Sequence, residues 1–196
     1  MGLFDERTIG DYLKIVSTRI KSELNGLTDN RILENDASDL AGLITNKYWV
    51  SVPKVDFESK KDVSVINRTI PSARGMSGRA NIQIAVYKLP FSDGDANVLK
   101  CIPTAYSMNP PIGKIYDNYL KVEVPFYGII DNNPKAKEQV NSDALAIVEK
   151  IKTNCQNLDK DCKKYMSEIR TQLEALINQR KQELNIRKGT EDDLSF

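Results

Sequence analysis

The stretch from Pro134 to Lys188, PKAKEQVNSDALAIVEKIKTNCQNLDKDCKKYMSEIRTQLEALINQRKQELNIRK, decides the fold class. Between Pro134 and Gly189 it holds neither Gly nor Pro, and it is rich in Lys, Glu, Gln, Ala and Leu, all good helix formers. Ala136, Val140, Ala144, Ile147, Ile151 and Cys155 recur as one apolar stripe. Cys162, Tyr165, Ile169, Leu173, Leu176, Arg180 and Leu184 form a second at close to heptad spacing. Asn157, Asp159 and Asp161, within the polar run Asn154 to Asp161, interrupt the pattern. The spacing therefore predicts a long C-terminal helical hairpin folded at that run, with one continuous rod as the alternative. Its apolar positions Ile147, Ile151, Ile169, Leu173, Leu176 and Leu184 are candidates for self-association.

Upstream, Ile9, Tyr12, Leu13, Val16, Ile20 and Leu24 step by three and four residues, which predicts a first helix ended by Asn25-Gly26. A second is expected from an N-cap at Thr28 or Asp29 to about Thr45, buried through Ile32, Leu33, Leu40, Leu43 and Ile44. From Tyr48 the period changes. Trp49, Val50, Val52 and Val55 favour a strand, and Pro53 places it at an edge. Val63, Val65 and Ile66 suggest a short strand or turn-rich connection, and Val98 to Ile102 another strand. Ile82 to Tyr87 and Tyr119 to Tyr127 alternate clearly. Strands that follow one another without helices between them pair antiparallel. The expected fold is α+β: an N-terminal helical hairpin packed on a small antiparallel sheet, followed by a long C-terminal helical hairpin or coiled coil. The expected domains are 1–133, a helical arm 134–188 and a flexible acidic tail 189–196.

Composition narrows the function classes. The 196 residues suffice for a core without disulfides or metal, and 28 Lys plus Arg against 27 Asp plus Glu leave a formal charge of +1. Any nucleic-acid surface must then be a local patch. Cys101, Cys155 and Cys162 are odd in number and scattered, which predicts free thiols and a cytoplasmic location. No run approaches the roughly 18 apolar residues of a membrane span. The opening Met-Gly-Leu-Phe-Asp-Glu lacks the Ser or Thr at position six that N-myristoylation wants, and Asn67-Arg68-Thr69 is too short a glycosylation signal to carry weight. The chain contains no histidine, so every Ser-His, Cys-His and His-ligated zinc arrangement is excluded. No cofactor, resident metal or catalytic residue is called.

Four local features bear on chemistry. The segment Ser72 to Arg79 offers Gly75 and Gly78, whose backbone N–H groups can approach an anion, with Arg68, Arg74 and Arg79 as guanidinium forks; it is the best candidate for contacting phosphate or nucleic acid. Its alternative is a solvated loop. Asp93-Gly94-Asp95-Ala96-Asn97 begins like a calcium loop, but Val98 stands where Gly is needed and Thr104 where Glu is needed, so a tight turn is expected. Glu58-Ser59-Lys60, with Asp56 or Asp95 as acidic partner, resembles the carboxylate-x-lysine pair of magnesium-dependent nucleases. The basic residues of the terminal helices, Lys150, Lys152, Lys160, Lys163, Lys164, Arg180, Lys181, Arg187 and Lys188, could touch phosphates, but interspersed acids favour an ordinary solvated face.

Leu89-Pro90-Phe91, Gly94-Asp95, Leu99, Pro103-Thr104, Ser107 and Asn109-Pro110-Pro111 resemble a pattern in uncharacterised bacterial proteins. Those proteins pair an N-terminal α+β module carrying a helical arm with, in many members, a C-terminal restriction-endonuclease-like nuclease domain. This sequence departs from the pattern by one extra residue at Ser92-Asp93. The resemblance implies a sensing or assembly module, in the setting of defence against foreign DNA, and transfers no catalytic residue. The two function classes are thus a non-catalytic recognition and oligomerisation module, assembling through the C-terminal helices, and a small metal-dependent nucleic-acid-cleaving enzyme built on Glu58 and Lys60.

Overall fold

A computed structural model describes residues 2–58, 62–71, 79–106, 111 and 113–194. The chain divides into two compact units, one formed by Met1–Thr8 and Val52–Asp159, the other by Ile9–Ser51 and Lys160–Phe196. The order is mixed helix and strand, as expected for α+β.

The sheet unit is organised by β4 (Arg79–Ser92), which pairs antiparallel with β3 (Asp62–Pro71), β7 (Tyr119–Phe126) and the short β2 (Lys54–Val55), while β6 (Gly113–Ile115) pairs with β7. The register sets Ala85, Tyr87 and Leu89 opposite Val124, Val122 and Leu120, so one face is a continuous apolar surface. On the other face Ile82, Ile84 and Val86 form a second buried cluster with Ile66 and Ile70 against it. With both faces of β4 buried, alternation alone underestimates its length and that of β3 beside it. A separate parallel pair joins β1 (Arg7–Thr8) to β5 (Cys101–Ile102), preceded by a 3-10 helix at Ala96–Lys100 where a strand from Val98 was expected. Asp95 explains the difference: its side chain accepts from the Asn97 N–H and caps the turn.

In the second unit, α1 (Ile9–Asn25) buries the expected stripe, and the Gly26 N–H closes its last turn on the Ser22 and Glu23 carbonyls. The single helix expected over 28–45 is instead two, α2 (Asp29–Glu34) and α3 (Ala37–Lys47). Thr28 caps the first; Asp36, extended at φ −64° and ψ 142°, accepts from the Ser38 and Asp39 N–H groups and starts the second. That capping competes successfully with helix continuation at Asn35-Asp36. α1 and α3 pack together, and α1–α3 group with residues 160–196.

The C-terminal hairpin is also corrected. α4 is one helix, Pro134–Asp193, running without interruption through Asn154 to Asp161 and past Gly189 into the acidic segment. Its first part, to Asp159, belongs to the sheet unit and the remainder to the helical unit. Asn154 and Leu158 are buried at the supposed turn, and the Asn157 amide donates to the Ala105 carbonyl at 2.8 Å, so the polar run is packed rather than looped out. Val140, Ile151, Cys162, Leu173 and Leu184 are all buried. They lie eleven residues apart, a spacing that stays in phase with a nearly straight α-helix where a heptad drifts. None of the described helices is long and apolar enough to cross a membrane.

Candidate functional site

The arginine candidates do not form one group among the described residues. Arg74, Gly75 and Gly78 lie outside the described residues, as does the side chain of Arg79, whose backbone opens β4 opposite Pro71. Arg68, in β3, donates Nη1 to Glu123 Oε2 at 3.2 Å across the sheet. Glu123 is also paired with Lys121 at 2.9 Å, and that hydrogen bond, more than the neighbouring Arg68, holds its carboxyl below the usual range. Arg68 is thus already matched to an anion of its own chain.

The acidic candidates have local structural roles. Asp56 Oδ1 accepts from the Glu58 N–H at 2.9 Å, folding the carboxylate pair into a turn; Lys60 lies outside the described residues. Asp95 caps the 3-10 helix and accepts from the Asn97 amide at 3.0 Å. Among the described residues no three His, Cys, Asp or Glu side chains come together as metal ligands. Asp93 and Gly94 turn the chain, both with left-handed φ (54° and 66°), and Asp93 pairs with Lys54 at 3.1 Å. A Cβ on Gly94 would stand 2.6 Å from the Pro53 nitrogen, so a side chain there is blocked as well as strained. Leu89 and Leu99, from the same family-like pattern, have no exposed surface. At these three positions the residues serve packing and turn formation.

On α4, Ile151, Ile169, Leu173 and Leu184 are buried by the chain itself, Ile147 is half-buried, and Leu176 is exposed. The basic side chains are partly engaged too. Arg180 donates to the Leu24 and Leu27 carbonyls and to Asp29, Arg187 to Asp29, and Lys181 to the Asn35 carbonyl.

A cleft of about 450 Å³ opens in the helical unit between the end of α1, the start of α2 and the end of α3, lined by Arg19, Ser22, Glu23, Gly26, Arg31 and Tyr48 among others. Glu23 Oε1 and Oε2 accept from Lys47 Nζ at 2.8 and 2.9 Å, and Oε2 accepts from Tyr48 Oη at 2.8 Å. These hydrogen bonds, that of Lys47 foremost, hold the Glu23 carboxyl below its ordinary range, with Arg31 adding a weaker Coulombic pull. The Lys47 ammonium is correspondingly raised, chiefly by Glu23. The exposed side chains of Arg19 and Arg31 make no hydrogen bond or ion pair among the described residues. Nothing in the sequence signalled this group. Its members lie on three helices or just past their ends, and only folding brings residues 19, 23, 31 and 48 together.

A smaller recess of about 220 Å³ in the sheet unit lies among Asp62, Lys88, Pro90, Asn118 and Tyr119. Tyr119 stacks on Tyr116 with centroids 4.7 Å apart, and Lys88 Nζ, paired with Asp62 at 2.6 Å, sits 5.8 Å from the Tyr119 centroid. Its charges are internally matched.

Comparison of the chain with protein-family models, with curated proteins and with solved structures found no match in any of the three.

Proposed function

We propose that the chain is a non-catalytic recognition and assembly module that self-associates along β3. The observation that carries this reading is the strand itself. β3 runs for ten residues, pairs with β4 on one side, and has no other strand paired with it among the described residues. Val63 and Val65 remain 49% and 42% exposed, where outer strands are ordinarily guarded by charge or proline. Asp62 and Arg68, the charges along this strand, are held within the chain by Lys88 and Glu123, so what the edge offers a second copy, related by a two-fold axis, is its backbone and the two exposed valines. Assembly through α4 would draw on its outward apolar residues, Leu145, Leu176 and Ile186, rather than on the buried positions. The resemblance to bacterial two-part proteins supports a sensing or assembly role in DNA-directed defence.

Light scattering tests the reading. The intact chain is expected to be a dimer or larger, and the double substitution Val63→Lys with Val65→Lys is expected to give a folded monomer. A monomeric parent, or an oligomer indifferent to both lysines, refutes assembly along β3. Magnesium-dependent DNA cleavage lost in Glu58→Ala would establish the enzymatic alternative instead.

A further inference from the structure

We propose that the cleft between α1, α2 and α3 binds the phosphate group of a small phosphate monoester, gripped by Arg19 and Arg31. The balance of charge argues for an anion. Glu23, the only carboxylate among the described residues that line the cleft, already has a cation of its own in Lys47 and a hydroxyl in Tyr48, at 2.8 to 2.9 Å. The two guanidiniums lining the same cleft make no hydrogen bond or ion pair among the described residues, Arg31 acting on Glu23 only through space. Two forked, permanently charged donors suit a dianion better than a single-charged diester, and guanidinium geometry matches phosphate oxygens pairwise. Ser22 offers a hydroxyl on the same wall, and Gly26 leaves its part of the lining without a side chain. At about 450 Å³ the cleft exceeds what a bare phosphate fills and lies within the span of small-molecule sites, roughly 300–1,000 Å³. The cleft thus has room for a phosphate with an organic body attached.

Glu23 has a second part in this arrangement. It positions Lys47 and Tyr48 while adding a negative charge near the incoming group, so it should weaken binding and thereby tune it. A residue needed only for structure would not act in that direction.

Calorimetric titration of the intact chain at pH 7.5, where a phosphate monoester is largely dianionic, tests the proposal. The probes are inorganic phosphate, a nucleoside 5′-monophosphate, the parent nucleoside and a short DNA duplex. Binding of the monophosphate, weaker binding of inorganic phosphate and none of the nucleoside are expected. Arg19→Ala and Arg31→Ala should each weaken the monophosphate on the order of tenfold, as loss of a charge-assisted hydrogen bond does, with the far-ultraviolet dichroism unchanged. Glu23→Gln should tighten it. Absence of binding by both phosphate probes overturns the proposal. So does affinity that survives the double arginine substitution, or displacement of the monophosphate by the duplex, whose internal phosphates are monoanionic. The outcome is independent of assembly along β3, which none of these residues touches.

Discussion

Arg180 reaches Asp29, 151 residues earlier in the chain, with Nη2 2.9 Å from Oδ1, and the same guanidinium donates to the Leu24 and Leu27 carbonyls. One side chain of α4 thereby satisfies carbonyls at the end of α1 and the acid in the first turn of α2. Arg180→Ala should lower the melting temperature by a few degrees, because it takes the guanidinium from the Leu27 carbonyl and from Asp29, while the Leu24 carbonyl keeps the Leu27 N–H at 3.1 Å. Arg187→Ala should do much less, since Arg187 holds the same Asp29 from a 60% exposed position where ion pairs contribute little. Equal effects from the two substitutions, read by thermal denaturation, would contradict this account.

Stability should fall on acidification through two identified carboxylates. Asp29 is held below its ordinary range first by Arg180 and then by Arg187, and Glu23 first by Lys47 and then by Tyr48. A carboxyl depressed in the folded state contributes stability that is complete above its unfolded value, near pH 4, and is lost as pH drops from there through the folded value. Asp29→Asn and Glu23→Gln should each flatten the loss of stability below about pH 4. Urea denaturation across that interval measures it, and slopes identical to the parent's would count against the assignment.

Asn154 is 2% exposed and its Nδ2 has no hydrogen-bond partner among the described residues. Replacing a buried, unsatisfied amide by an apolar group of similar volume removes a desolvation penalty. Asn154→Leu is expected to stabilise the protein by about 1 kcal/mol in chemical denaturation. Destabilisation would mean that the amide has a role the static contacts do not explain.

Gln83 shows the opposite case. Its Nε2 donates to Asn67 at 3.1 Å and to Asp131 at 3.0 Å, while Oε1 accepts from the Ile130 N–H at 2.5 Å. Gln83→Leu strands the Ile130 N–H and should cost about 1–3 kcal/mol. The contrast with Asn154→Leu, two buried amides with opposite expected signs, is the sharper observable.

Near the start of the chain, Phe4 has no exposed surface although its φ is +57°, a conformation unfavourable to a bulky side chain. Burial outweighs that strain, so Phe4→Ala should destabilise by roughly 3–5 kcal/mol. Leu3 beside it needs Gly113: a Cβ there would lie 2.6 Å from Leu3 Cδ1 and 2.8 Å from the Lys121 carbonyl oxygen. Gly113→Ala is expected to cost about 1–3 kcal/mol through overpacking. A neutral result in equilibrium unfolding would show that Leu3 can move aside.

The sequence by itself determined the local elements whose signal is local. The helix over Ile9 to Asn25 and its Gly26 stop, the Thr28 cap, the strands at β4 and β7 and the helical character of the last third were all legible, because periodicity, capping and turn chemistry act over a few residues. Even the uninterrupted course of α4 was written there: the eleven-residue recurrence of Val140, Ile151, Cys162, Leu173 and Leu184 carries it, whereas a heptad reading gave undue weight to Asn154 to Asp161. Tertiary structure alone decided the rest. It buried both faces of β4 and lengthened β3 along it. It also matched Arg68 to Glu123 and Arg180 to Asp29, and gathered Arg19, Glu23, Arg31 and Tyr48 around one cleft. Those outcomes depend on which distant residues end up as neighbours, and burial and charge pairing between distant segments leave no periodic mark in the chain.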